Sequence, residues 1–368
     1  MFKQYKLKNY KFILIALVVI LNTIGVALVG SASPGDQKKQ IIGMVSGIII
    51  MLLVSYIDYN FILRFSWLIY LGAIGLLGLV IVAGEQSKGA QRWFKIGGFQ
   101  FQPSELVKIL MILFLAYYFM RYEEKINSPR VLFGSFVLIG IPLALILAQP
   151  NLSTTIVLAL VFAAMLFAAG LSYKIVVGVL AVCVPTFFIV LTLIIQDKFP
   201  FIHSYQLGRI MGWLYPDKYP DIAYQQQNSI MAIGSGLLWG KGLGNTDPTS
   251  VKNGKFILEP QNDFIFSIVC EELGFVGAAT VILLFLLFLW RGISIAMKAP
   301  DVFSQLVVAG IVSKVVIQAV LNIAVVTKSI PNTGISLPFF SYGGSSLCVL
   351  IAEMGIVLSI SRYTKQKK

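Results

Sequence analysis

Ten apolar runs, each about as long as a helix needs to cross a membrane, decide what this chain can fold into. They lie at 12–30, 40–57, 65–83, 104–120, 131–148, 152–170, 174–195, 264–290, 302–327 and 343–361. A hydrocarbon core about 30 Å thick takes roughly 20 apolar residues of helix to span. No water reaches that core to satisfy exposed backbone groups, so runs of this length close their own hydrogen bonds as helices. The expected fold is all-α: a polytopic integral membrane bundle of ten transmembrane helices, one membrane domain over residues 1–368. Composition agrees, with only 12% of residues charged, about half of what a soluble domain carries.

The first run follows Lys3, Lys6, Lys8 and Lys11 and ends in a small-residue stretch that imitates a cleavable signal. Its apolar part is too long for one, and nine more runs follow, so it reads as a retained anchor. With the N-terminus in the cytoplasm, inner segments hold fifteen Lys and Arg and the short outer loops six. That asymmetry predicts both termini inside. The long polar loop between spans seven and eight, about 196–262, then faces outward. The net charge of +13 is spread over inner loops and tails, with no basic stripe interleaved with aromatics, so no nucleic-acid partner is expected. Cys183, Cys270 and Cys348 fall in apolar runs without C-x-x-C spacing and read as buried free thiols. The single histidine, His203, leaves no His-based metal site or triad to build.

Charge placed against the cost of the bilayer is the functional signal. Asp263 stands where the long loop enters span eight, behind the polar run Glu259-Pro-Gln-Asn262. It reads either as a helix cap or as a partly desolvated carboxylate suited to general-base work. Glu271 and Glu272 follow within the same run, roughly 12 Å further at 1.5 Å per residue, too far to share a proton with Asp263. A structural role, bonded to backbone or a cation, is expected for both. Glu105 and Lys108 open span four, three residues apart on one face, as a structural ion pair or as the wall of a charged pocket. Gly240-Lys241-Gly242 lacks the Gly and Ser/Thr that a nucleotide P-loop requires. It reads as a turn with a solvated lysine or as a cradle for a pyrophosphate or lipid head group. Arg92 and Arg209 are further outer cations. The stretch Pro331–Ser346, dense in Pro, Gly and hydroxyls, predicts non-helical backbone lining a cavity rim, with Ser341 and Ser345 as candidate substrate contacts. The apolar stretch from Ser229 to Trp239 is too short to span and suits a re-entrant or interfacial helix.

In order along the chain stand Gly89-Ala-Gln-Arg92-Trp93, Gln102-Pro-Ser-Glu105 with Lys108, and Tyr224-Gln-x-x-Asn-Ser229 with Ala232–Gly236 and Gly240-Lys-Gly242. Asn262-Asp263-Phe-Ile-Phe, Glu271-Glu-Leu-Gly274 and Leu337-Pro-Phe-Phe-Ser-Tyr-Gly-Gly-Ser-Ser346 follow. This ordered set resembles the SEDS family of bacterial cell-wall proteins, the FtsW, RodA and SpoVE relatives, over most of the chain. Two departures stand out. Where the family commonly shows Gln-Pro-Asp-Leu-Gly-Thr, this chain has Gln149-Pro-Asn151-Leu-Ser153-Thr154, and Asn262 replaces a frequent Thr before the aspartate.

The resemblance implies a cytoplasmic-membrane peptidoglycan glycosyltransferase that polymerises lipid II beside a class B penicillin-binding protein. The family's essential aspartate falls on Asp263, and its span-four ion pair on Glu105 and Lys108. Chemistry expected of such a site is inverting transfer with one base. Asp263 takes the acceptor proton, and Arg92, Arg209, Lys241 or Lys108 stabilises the leaving pyrophosphate. A divalent cation (Mg2+ or Mn2+) stays an open addition, since no ligand cluster of diagnostic spacing stands in the sequence. Two other readings use the same residues: a lipid II flippase, and a non-enzymatic scaffold for a penicillin-binding protein. Against the flippase, the suggestive residues gather at one face, and no inverted repeat is evident.

Overall fold

The computed structural model describes residues 11–87, 90–96, 99–196 and 204–363. Lys3, Lys6, Lys8, Lys88, Gly89, Gly97, Gly98, His203, Lys365, Lys367 and Lys368 lie outside the described residues. The helices are α1 (Phe12–Ala32), α2 (Pro34–Val54), a short α3 (Tyr59–Arg64), α4 (Ser66–Ala83), α5 (Pro103–Arg121), α6 (Pro129–Ala148), α7 (Leu152–Ala168), α8 (Tyr173–Ile195), α9 (Ser204–Leu214), α10 (Pro220–Ser235), α11 (Ile265–Met297), α12 (Val302–Val326) and α13 (Gly344–Ser361). Among the described residues nine are long and apolar enough to cross a membrane, and α7, at 17 residues, is a shorter apolar helix. Together these ten coincide with the ten apolar runs.

Helix starts follow the local chemistry. Pro stands in the first turn of α2, α5, α6 and α10, where its missing N–H costs nothing. Asp301 and Ser304 form a reciprocal capping box on α12. Inside the bundle, α5, α12 and α13 are the most enclosed of the spanning helices, whereas α8 buries none of its most apolar stretch. The glycines at 43 and 47 let α2 lie against α13; a Cβ on Gly43 would stand 2.8 Å from the Gly344 carbonyl oxygen. Of the three cysteines, only Cys270 is buried. Cys183 lies exposed on α8, which has little protein packed around it, and Cys348 is intermediate.

One boundary needs correcting. The run from 264 onward is not a single uninterrupted span, because α11 breaks at Gly274 (φ 65°, ψ −166°). The amides of Phe275 and Val276 turn away from their own helix to the carbonyls of Leu237 and Leu238, at 2.8 and 3.1 Å. The carbonyls of Glu271 and Glu272, left without those donors, accept from Lys241 and Gly242, both at 2.9 Å. Two helical hydrogen bonds are thus lost, and each of the four backbone groups they leave finds a new partner, as backbone removed from water requires. Contact is so close that a Cβ on Gly274 would lie 2.3 Å from the Gly240 nitrogen. Residues 275–297 alone, about 35 Å of helix, suffice to span. The segment 265–273 packs under the loop instead.

The all-α expectation gains one addition. Three strands, β1 (Glu85–Ser87), β2 (Ala90–Ile96) and β3 (Phe99–Phe101), pair as an antiparallel sheet in the order β1-β2-β3. The long loop carries two helices, α9 and α10, and α10 begins well before the apolar stretch that suggested it. Its polar residues satisfy the end of α12, where the last carbonyls lack helical donors. Gln226 donates to Val325 and Ile330, and Ser229 to Val326. The chain leaving α12 is thereby fixed in direction, and that direction brings residues 331–343 over Asp263.

Candidate active site

Asp263 is held through its peptide rather than as a helix cap. The capping position of α11 is Phe264, and no side chain caps that helix; Asn262 donates to Glu259 instead, at 2.8 Å. The fully buried Asn322 of α12 donates its amide to the carbonyls of both Asp263 and Ile335, each at 2.7 Å. Ser341 donates to the Asn262 carbonyl (2.7 Å) and accepts from the Leu337 amide (2.7 Å). The Tyr342 amide donates to the Gln261 carbonyl at 2.8 Å. Gln40 of α2, also fully buried, bonds both Ser341 and Gly343. Three peptides before α11 are therefore stapled to the 335–343 loop. Side chains of such a segment are placed within narrow limits, which is what a reacting group needs.

The space above Asp263 is shared. At Gly334 (φ 73°) an added Cβ would lie 3.3 Å from Asp263 Oδ2, 3.9 Å from Ser153 Oγ and 4.0 Å from an Arg209 guanidinium nitrogen. Arg209 donates to the Asn332 carbonyl at 3.1 Å, and Ser153 to the Thr333 carbonyl. A carboxylate, a guanidinium and a hydroxyl thus converge on one glycine of the rim. Ser153 belongs to the 149–154 stretch that departs from the family pattern. Asn151, in the same stretch, is buried, caps α7 by accepting from the Thr154 amide (3.2 Å), and reaches Ser104 beside Glu105.

Next to this point opens a small cleft, walled in part by Glu105, Gln318, Ser336, Ser341, Tyr342 and Ser346. Lys108 donates to Glu105 at 2.8 Å; the lysine is 2% exposed and the glutamate 19%, so the acid is the member that meets the cleft. Burial pushes the Tyr342 phenol above its ordinary pKa and the neighbouring Asp36 carboxylate adds to this, which keeps the hydroxyl protonated. Ser345 donates to the Gln100 carbonyl and so ties the start of α13 to β3, in the sheet that carries Arg92 on β2.

Lys241, Glu271 and Glu272 are gathered elsewhere. The Lys241 ammonium is 2.9 Å from Glu271, at the other end of the 265–273 segment from Asp263. Glu271 also accepts from the amides of Val251 and Lys252, and Glu272 from Lys252 and Ser31, both at 2.5 Å. Reading by sequence missed Lys314 and Glu353. They form an ion pair across α12 and α13 with the ammonium 2.6 Å from each carboxylate oxygen. Each was visible as a lone charge in an apolar run, the same signal that marked Glu105. No group of three or more His, Cys, Asp or Glu side chains comes together among the described residues. This donor set does not suit a tightly held metal.

The same architecture has been seen before. A sequence model of the FtsW/RodA/SpoVE group, described as cell cycle proteins, matches residues 6–366. The chain belongs to the FtsW/RodA/SpoVE family. Stage V sporulation protein E of Bacillus subtilis is 35% identical over 377 residues, covering 96% of this chain and 97% of that one. Peptidoglycan glycosyltransferase MrdB of Escherichia coli K12 is 35% identical over 360 residues, covering 96% and 92%. Among solved structures, a chain of a peptidoglycan synthase complex that coordinates polymerization and crosslinking superposes with a TM-score of 0.78 at 28% identity, covering 96% and 98%. Rod shape determining protein RodA of Thermus thermophilus superposes at 0.69 with 26% identity, covering 97% and 98%. Family membership and the apolar helices make this a multi-pass membrane protein.

Proposed function

We propose that this peptidoglycan glycosyltransferase polymerises lipid II, the undecaprenyl-pyrophosphate-linked disaccharide peptide, with Asp263 as general base. The enzyme class follows from relatives of that name at 34–36% identity over nearly their whole length. One observation carries the assignment of the base: Asp263 and Arg209 meet at Gly334 beside a cleft whose wall holds a buried ion pair. Asp263 takes the proton of the acceptor sugar hydroxyl as that oxygen attacks the anomeric carbon. The bond to pyrophosphate breaks on the opposite side, so the configuration inverts in a single displacement. Arg209, with Arg92 of the sheet, stabilises the charge that develops on the leaving pyrophosphate. Lys108 and Lys241 are already committed to Glu105 and Glu271 and are the weaker candidates for that role. Glu271 and Glu272 hold the loop against α11.

On this reading the cleft opens on the outer face of the cytoplasmic membrane, with both termini in the cytoplasm. A class B penicillin-binding protein is the partner that would crosslink the product; the likeness to a chain of a synthase complex supports this. Purified protein given fluorescent lipid II tests the whole reading. Wild type is expected to form glycan strands, and Asp263→Asn to form none while still melting as a folded protein. Polymerisation at the normal rate by Asp263→Asn would remove Asp263 from the mechanism. Lipid II crossing vesicle bilayers without being polymerised would favour a flippase instead.

A further inference from the structure

Beneath the cleft lie Lys314 and Glu353, side chains 2% and 0% exposed, which the transfer chemistry leaves unused. They lie next to the pair already described. Lys314 is within electrostatic range of Glu105 as well as of Lys108, and Glu353 within range of both Glu105 and Lys108. Two lysines and two glutamates thus share one apolar interior, carried by α5, α12 and α13. Their relation to the cleft follows from helix geometry. Gln318 and Leu350, which line it, stand one turn from Lys314 and Glu353 toward the rim, and Glu105 lines it directly.

Such a cluster has more than one way to pair. A buried cation without its partner takes the nearest carboxylate, because an uncompensated charge in an apolar interior is costly. For Lys314 the alternative to Glu353 is Glu105. Were Lys314 to move there, Glu105 would be drawn off Lys108 and away from its place in the cleft wall.

We propose that Glu353 is a positioning residue for the site: it holds Lys314 off Glu105, and so keeps Glu105 on Lys108 with its carboxylate at the cleft. The inference rests on the cleft being the seat of glycosyl transfer. It gives the two residues unequal weight. Loss of Glu353 frees a competing cation. Loss of Lys314 frees only an acid, which can take up a proton and become neutral. Loss of both removes the competition altogether.

Full-length Glu353→Gln, Lys314→Met and the double variant, each confirmed folded by size exclusion and thermal melting, are compared with wild type on lipid II. Glu353→Gln is expected to lose about tenfold in kcat with KM little changed, as for an interaction that matters in the transition state. Lys314→Met should fall by less than about threefold, and the double variant should return to within about twofold of wild type. Wild-type kcat in folded Glu353→Gln, or a double variant as impaired as that single one, overturns the proposal. If Glu353→Gln does not fold, Glu353→Asp replaces it. Aspartate keeps the charge but withdraws it by one methylene, and an unchanged kcat again overturns the idea. A structure of the substituted protein gives a readout independent of activity. Lys314 turned onto Glu105 supports the proposal, and Lys314 still apart from Glu105 sinks it, whether or not the wild type polymerises lipid II.

Discussion

Three carboxylates stand at the head of α11, and the protein treats them in two ways. Glu271 and Glu272 are fixed through their side chains, which collect ammonium groups, amides and a hydroxyl until both are 1% exposed. Asp263 is fixed through its carbonyl, which Asn322 holds, while its carboxylate meets Arg209 and Ser153 around Gly334. An acid saturated by bonds stabilises a fold. An acid positioned through its backbone, beside a guanidinium and a hydroxyl near a cleft, is placed where a substrate can meet it.

The comparison breaks first at Asp263. Asp263→Asn should lower polymerisation by about 10²- to 10⁴-fold, the usual contribution of a general base, with no loss of melting temperature. Glu272→Ala should do the reverse. It leaves Lys252, 8% exposed, without its partner, and breaking a buried pair costs about 3–5 kcal/mol. The variant is expected to melt well below wild type, while the fraction that stays folded polymerises lipid II at the wild-type rate. A thermal melt and a strand-synthesis assay on the same samples decide both. If Glu272→Ala were stable and inactive, the division between the two kinds of acid would be lost.

Gly334→Ala sharpens the same contrast from the rim. A left-handed backbone costs a non-glycine residue about 1–2 kcal/mol, and the new methyl would press on the Asp263 carboxylate at 3.3 Å. Misplacing a reacting group by about 1 Å can cost roughly 10²-fold. A fall in kcat of that order is expected, larger than the small drop in stability explains. Equal kcat would mean that Asp263 acts from a position indifferent to Gly334.

How much of this was legible follows from what each feature depends on. The spans could be read because length and apolarity are local properties, and α7 sits where its run predicted although it is the shortest. Asp263 stood out because a carboxylate beside an apolar run is also a local signal. The break at Gly274 is not local. A glycine inside an apolar run reads as helix, and only the carbonyls and amides of residues 237–242, brought alongside by folding, make the interruption stable. The pairing of Lys314 with Glu353 escaped for the same reason. Glu105 and Lys108 announce themselves by spacing on one helix, whereas a pair divided between α12 and α13 has no spacing to read. The sheet at 85–101 has two strands of only three residues, too short for alternation to show.

Asn151 tests the site in a milder way. Aspartate, common there in the family, caps a helix as well as asparagine does. The cap on α7 should therefore survive Asn151→Asp, but a charge at this buried position should cost about 1–3 kcal/mol of stability. Because Asn151 reaches Ser104 beside Glu105, any change in kcat reports how sensitive the cleft wall is to an added negative charge. A kcat within about threefold of wild type is expected, since Lys108 already balances Glu105.

The smallest effect concerns Asp247, an acid of the loop that clasps Glu271. Its carboxylate accepts from the Thr249 amide and hydroxyl at 2.9 and 2.8 Å. First the amide and then the hydroxyl hold its pKa below the usual aspartate range. A depressed carboxylate contributes stability that is fully present above the unfolded pKa and is lost as pH falls through the folded one. Acidification below about pH 4, the range where an unperturbed aspartate titrates, should therefore loosen the turn at 245–249. The turn leads directly into Val251 and Lys252, whose amides bind Glu271. Hydrogen exchange at the Thr249 amide should quicken across that window, with Val251 and Lys252 following only weakly. Asp247→Asn should flatten the transition at Thr249. If Val251 and Lys252 instead opened in step with Thr249, the bonds to Glu271 would be weaker than their burial implies, and the saturated acids would depend on the turn rather than anchor it.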